Sequence, residues 1–217
     1  MLKKNSFTIF VFFVILLLFA LGSWQLQRLA WKKDLKSKIY NSFQSPSIQM
    51  PINIKVFEKI KFSGTIIGNP ISVYNLGEKG AYGFDIYYPL SVENKSFMIK
   101  AGWSPLVIKE SKNFIGKKFK FEGVVLNYKK RNIFTPDNNE KNFYYFINSE
   151  ILTKKYNKKF DNFYLYETSN IFKSLNLKKS NNINIRNNHL QYALTWYSLC
   201  FIIIITFIKY RKKNEIH

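Results

Sequence analysis

The chain has 217 residues, room for about one domain, and carries 34 Lys and Arg against 13 Asp and Glu, a formal charge of +21. The basic residues are scattered among abundant Asn, Ile, Phe and Tyr, without a helix-turn-helix, zinc-finger or RNP-type pattern, which argues against nucleic acid and leaves anionic lipid or an acidic partner. One cysteine, Cys200, excludes an internal disulfide and any CxxC site, and the two histidines, His189 and His217, stand too far apart for a local metal motif.

Residues 1–6 precede an uncharged apolar run, 7–26, long enough to cross a hydrocarbon core as a helix. Lys3-Lys4 and Ala20-Leu21-Gly22 imitate a cleavable signal peptide. Against cleavage, Trp24, Arg28 and Trp31 follow at i, i+4 and i+7, which predicts that the helix continues and shows them on one face. Lys32 to Gln49 reads as a polar helix tail and a linker broken by Pro46 and Pro51. The span 27–188 is then a β-rich extramembrane domain. Its predicted strands are Lys55–Phe62, Ile71–Asn75, Phe84–Ser91, Ser96–Trp103, Lys118–Tyr128, Phe143–Asn148 and Phe163–Tyr166. Gly64, Gly68-Asn69-Pro70, Gly77 to Gly80, Glu93-Asn94-Lys95 and Thr135 to Asn139 supply the turns. A short helix is expected from Asn148-Ser149-Glu150, whose first two residues are good caps. Lys173 to Asn188 is expected to be a mobile polar tether. Residues 189–208 form a second uncharged span and 209–217 a basic end.

The predicted fold class is therefore membrane α+β: two terminal transmembrane helices flanking one antiparallel β-rich extramembrane domain. Two crossings place both termini on one side. Lys3, Lys4, Lys209, Arg211, Lys212 and Lys213 favour a cytoplasmic side, while Arg28, Lys32, Lys33, Lys36 and Lys38 pull the other way.

Enzyme signatures such as GxSxG, GxxxxGK[ST], GxGxxG and HExxH do not occur, so a non-enzymatic role is expected. Four other patterns stand out. They are Leu21-Gly22-Ser23-Trp24-Gln25-Leu26-Gln27-Arg28-Leu29-Ala30-Trp31-Lys32; Gly80-Ala81-Tyr82-Gly83-Phe84 with Pro89-Leu90 and Gly102-Trp103-Ser104-Pro105; Phe134-Thr135-Pro136-Asp137-Asn138 with Asn142-Phe143-Tyr144; and Asn187-Asn188-His189-Leu190-Gln191-Tyr192-Ala193-Leu194-Thr195-Trp196-Tyr197. In this order, between two terminal spans, they resemble the surfeit locus protein 1 family of cytochrome c oxidase assembly factors. The family usually ends its central hairpin in Asn-Arg-Gly-Trp, where this chain has Lys100-Ala101-Gly102-Trp103. It tends to carry a Trp near Phe143-Tyr144, and a Gly/Pro-rich stretch before the second span that is missing here.

The resemblance implies a non-catalytic factor that helps to deliver haem a to nascent oxidase subunit I or stabilises that subunit, working beside the haem a synthesis machinery. It also implies a bacterial inner (cytoplasmic) membrane with the central domain in the periplasm. No mitochondrial transit peptide is evident before Phe7. A scaffold that holds subunit I without haem is the alternative. His189 at the outer end of the second span is the candidate haem-iron ligand through Nε2; an interfacial histidine bound to water or headgroups is the plainer reading. Arg28 is a candidate partner for haem propionates, or it snorkels to headgroups. Trp24, Trp31 and Trp196 either shape a porphyrin pocket or form an aromatic belt. Gly102-Trp103 reads as packing at a strand end.

Overall fold

The computed structural model describes residues 2–77, 80–110, 113–138, 143–179 and 187–215, and it divides into two compact units, 1–37 with 184–217 and 38–183. The first is a pair of helices. Helix α1 runs unbroken over Leu2–Gln44, and α3 over His189–Glu215. At 1.5 Å per residue, the 43 residues of α1 reach about 65 Å, roughly twice a hydrocarbon core. The apolar run therefore continues directly into the polar tail, as the Trp24-Arg28-Trp31 spacing predicts. Each helix contains a stretch long and apolar enough to cross a membrane, and only 11% of either stretch is buried. A helix of a soluble core hides its apolar side chains; here Phe10, Phe13, Leu16, Phe201 and Ile202 all face outwards. Lipid is the solvent that such a surface fits.

The two helices meet along a seam of period 3.5. Among the buried or half-buried positions, Val11, Ile15, Leu18, Gly22 and Gln25 on α1 and His189, Ala193, Trp196, Cys200, Ile203 and Phe207 on α3 follow this repeat. Alternating steps of four and three residues keep one stripe facing the partner. The pairing is antiparallel: Phe7 lies against Tyr210, the Cys200 thiol against the Ile15 carbonyl, and Tyr197 against Phe19. Small residues allow the close approach, because a Cβ on Gly22 would stand 2.7 Å from the Tyr197 ring.

The second unit is a seven-stranded sheet: β1 (Ile48–Gln49), β2 (Lys59–Ile66), β3 (Ile71–Tyr74), β4 (Phe84–Val92), β5 (Lys95–Ser104), β6 (Lys118–Asn127) and β7 (Phe163–Glu167). Spatial order is β1-β2-β6-β7-β5-β4-β3, and Thr65-Ile66 of β2 also pairs with Leu90-Ser91 of β4. That extra pairing closes five strands, β2-β4-β5-β7-β6, into a barrel. Its neighbours are antiparallel except β5 and β7, and the short β1 joins β2 in parallel. The connectivity is that of an OB-type Greek-key barrel. Closure explains one displaced element. Gly64, expected as a turn, lies inside β2, where a Cβ would stand 2.9 Å from the Val92 side chain. Its missing side chain lets β2 bend onto β4, so the strand runs four residues further than predicted.

Alternation along the strands fills the barrel with Ile60, Phe62, Ile86, Tyr88, Phe97 and Leu165 among others. The outer face is also covered: Ile71, Val73, Tyr87 and Met98 pack with Ile147, Leu152 and Phe160. Helix α2 (Ser149–Tyr156) lies in this layer and begins as expected, with the Asn148 side chain accepting from the Ile151 N–H. Phe143–Asn148, expected as a strand, makes only a single bridge, Tyr144 to Val73. The Asn138 carboxamide takes the Tyr145 and Phe146 N–H groups and donates to the Phe146 carbonyl, so no ladder is left to form. The expected tether is also partly docked: Lys173–Leu175 is a 3-10 turn, Lys178 pairs with Trp103, and Lys179 with Glu167. The remainder of that segment, 180–186, lies outside the described residues.

Candidate functional site

Two places gather the motifs. On the barrel, the second and third motifs meet. Gly102 takes φ +157, and a Cβ there would stand 2.7 Å from Leu177 Cβ. Trp103 then turns over Gly77 and Gly83, where an added Cβ would stand 2.7 and 2.2 Å from the indole, and its Nε1 donates to the Asn75 carbonyl at 2.9 Å. Gly102-Trp103 is thus a packing feature at a strand end, as the sequence suggests. Beside it, Tyr74, Tyr82, Phe84, Phe143 and Tyr145 stack edge-on or tilted at 5.0–6.5 Å. Tyr82, Phe84, Leu106 and Phe143 line a shallow groove there of about 420 Å³ with Lys109 at its rim.

The departures from the usual hairpin ending have structural places. Ala101 points into the barrel core, and Lys100 lies on the outer face. Its ammonium meets Asp85 at 2.7 Å and lies 5.2 Å over the Tyr166 ring. Asn75 donates to the same Asp85 oxygen at 3.0 Å and accepts from Lys129 at 2.8 Å. Burial lowers the Lys100 pKa against the opposing pull of Asp85. Burial likewise raises the phenols of Tyr87, Tyr128, Tyr156 and Tyr164. These groups are enclosed, and their chemistry is that of a packed polar core.

The second place is the end of the helix pair where α3 begins. His189 Nδ1 lies 2.6 Å from Gln25 Oε1. A carboxamide oxygen only accepts, so this contact puts the proton on Nδ1 and leaves the Nε2 lone pair unengaged by it. A hydrogen bond that fixes the tautomer and ring plane is what an imidazole needs to serve as a metal ligand. Gln25 escaped the sequence reading, although a polar residue at a seam position of an apolar helix was the available signal.

Arg28 sits between two indoles, its guanidinium carbon 4.9 Å from the Trp31 ring centre and 5.9 Å from that of Trp24. The predicted face is therefore real, and both tryptophans are about half exposed. At about 100° per residue, Arg28 lies roughly 60° around α1 from Gln25, and Trp24 and Trp31 lie further round. The stripe flanks the His189–Gln25 contact. Trp196 is half-buried in the seam, about 10 Å deeper than His189 along α3. Below Gln25, Tyr197 covers Gly22 and its hydroxyl reaches Ser23 Oγ at 3.1 Å. That packing closes the seam below the His189–Gln25 contact. A cleft of about 220 Å³ in the same unit lies at the other end, lined by Phe7, Val11, Ile203 and Phe207.

Comparison with known proteins agrees with these motifs. The sequence matches the profile of the SURF1 family over residues 12–201. It is 28% identical to a SURF1-like protein of Rickettsia conorii, covering 97% of this chain and 92% of that protein. A SURF1-like protein of Rickettsia felis is 26% identical over 96% of this chain and 97% of its own length. Surfeit locus protein 1 of Gallus gallus is 27% identical over 89% of this chain and 71% of its own.

Proposed function

The chain belongs to the SURF1 family, whose members are cytochrome c oxidase assembly factors, and we propose that it acts by presenting haem a to nascent oxidase subunit I at the membrane. The observation that carries the haem part is the His189–Gln25 hydrogen bond at 2.6 Å, which orients an imidazole at a span boundary with Nε2 turned to accept a metal. The residues fit the group. His189 would ligate the iron, Arg28 would pair with propionates, and Trp24 and Trp31 would line the macrocycle; Trp196, set deeper in the closed seam, would not reach it. Haem a supplies the redox-active iron that the oxidase needs. The protein binds, orients and releases it, and catalyses no reaction of its own. Haem a is also strongly apolar, so a carrier that stays in the bilayer avoids exposing that surface to water.

In this reading the barrel stands in the periplasm of a bacterium, the termini face the cytoplasm, and the membrane is the inner one. Relatives from Rickettsia fit a bacterial membrane, and the terminal basic residues favour cytoplasmic termini. Subunit I and the haem a synthesis machinery are the proposed partners. The test is the absorption spectrum of protein purified from cells with and without haem a synthesis. Haem-coloured protein only from the first cells supports the carrier. Colourless protein from both, with oxidase assembly still dependent on it, supports the scaffold that holds subunit I without haem.

A further inference from the structure

The loop after β6 presents an apolar tip that the packing of the barrel does not use. Ile133 is 97% exposed and Phe134 92%. Single exposed apolar residues are ordinary on protein surfaces. This pair is different because the turn is built to hold it outwards. Asn132 Oδ1 accepts from the Phe134 N–H at 3.0 Å and from the Thr135 hydroxyl at 2.8 Å, and the Thr135 N–H returns to the Asn132 carbonyl at 3.0 Å. Below the turn, Arg131 pairs with Asp137 at 2.6 Å and lies over the Phe146 ring at 5.1 Å. These hydrogen bonds fix the backbone that carries Ile133 and Phe134 at the apex of the turn.

Charge completes the pattern. Lys129, Lys130 and Arg131 immediately precede the tip, and Asp137 is the one acid among residues 129–138. Apolar side chains at an apex with cations behind them are the composition of a segment that sits in a bilayer interface, apolar groups at the acyl boundary and cations at headgroup phosphates. The tip is too small to be a protein-docking face, since stable interfaces bury about 800 Å² per partner. Two helices of the same chain are apolar enough to cross a membrane, so a tethered tip meets lipid at high effective concentration and weak insertion suffices.

We propose that Ile133 and Phe134 insert into an anionic bilayer interface, with Lys129 and Lys130 at the phosphates and Arg131 held behind them by Asp137. The proposal goes beyond haem handling and stands without it.

The full chain, with Cys200→Ser and a nitroxide on Ile133→Cys, is reconstituted into phosphatidylcholine vesicles with or without phosphatidylglycerol. With the anionic lipid, the label should collide more with oxygen than with a water-soluble nickel chelate, and Phe134→Ser should return it to water without changing the circular-dichroism melt. Lys130→Glu changes two units of charge and should lower the inserted-to-aqueous ratio roughly 25-fold, at about fivefold per charge. High salt should act in the same direction. A label that stays aqueous in both vesicles overturns the proposal, and so does equal burial in neutral vesicles. Immobilisation only after membrane-protein extract is added would assign the tip to a protein partner and overturn it equally.

Discussion

The helix pair and the barrel hold their polar residues in opposite ways. In the barrel, Asp85 and Lys100 form an ion pair enclosed among tyrosines, which Asn75 joins by a hydrogen bond and the exposed Lys129 caps from outside. In the helix pair, His189 and Gln25 make one contact at the edge of an apolar seam, with Arg28 and two tryptophans on an exposed flank. An enclosed network serves the fold, because every member depends on another. An imidazole oriented through one ring nitrogen keeps its other nitrogen for a ligand. Motifs from both regions are equally prominent in the sequence; only their surroundings distinguish them.

That contrast is broken first by alkali. Tyr87, Tyr128, Tyr156 and Tyr164 have phenols raised above the ordinary value of about 10 by burial, so their contribution to stability is complete below that pH and lost as pH rises beyond it. Lys100 acts in the other direction. Its lowered value means that burying its charge costs stability at neutral pH, and the cost fades as pH climbs towards about 10.5. One amine opposes four phenols, so the barrel should unfold above about pH 10 while the lipid-held helices persist. Tyrosinate absorbance rising cooperatively with loss of the β signal in circular dichroism would show it; independent titration of each phenol would contradict it.

Next in size is Lys100→Met, which strands Asp85 in its enclosure. It should destabilise the barrel by about 3–5 kcal/mol in denaturant melts, and adding Asp85→Asn should restore most of that. A single variant as stable as the parent would mean that water reaches the pair.

A matched pair of glycines sharpens the comparison further. At Gly83 a Cβ would stand 2.6 Å from the Ser104 carbonyl oxygen as well as 2.2 Å from the Trp103 ring. Backbone cannot step aside, and Gly83→Ala should cost about 1–3 kcal/mol. At Gly22 the obstacle is the ring of Tyr197, a side chain that can swing towards lipid. Alanine also favours the helix by up to about 1 kcal/mol, so Gly22→Ala should fall within about 1 kcal/mol of the parent. Equal costs at the two positions would mean that the seam is as rigid as the barrel.

Element type was largely legible from composition. Six of the seven predicted strand segments became strands, because period-two patterning and turn residues act locally. The exceptions have non-local causes. Gly64 belongs to β2 because of Val92 on another strand, and Phe143–Asn148 loses its ladder to the Asn138 side chain. Closure of the barrel, with the parallel β5–β7 pair, had no local signature at all. At the candidate site, the stripe of Trp24, Arg28 and Trp31 followed from helical spacing alone. Gln25 did not, because its meaning depends on a partner 164 positions away.

The central claim, that the helix pair carries the haem-binding function and the barrel supports it, rests most directly on His189. Full-length His189→Ala and the parent should be purified side by side from cells that make haem a, and their visible spectra recorded at equal protein concentration. The account predicts that the variant inserts, accumulates and keeps a folded barrel, yet loses or shifts the bound-haem bands. The same amount of haem with an unchanged spectrum would contradict it and leave His189 an interfacial histidine held by Gln25.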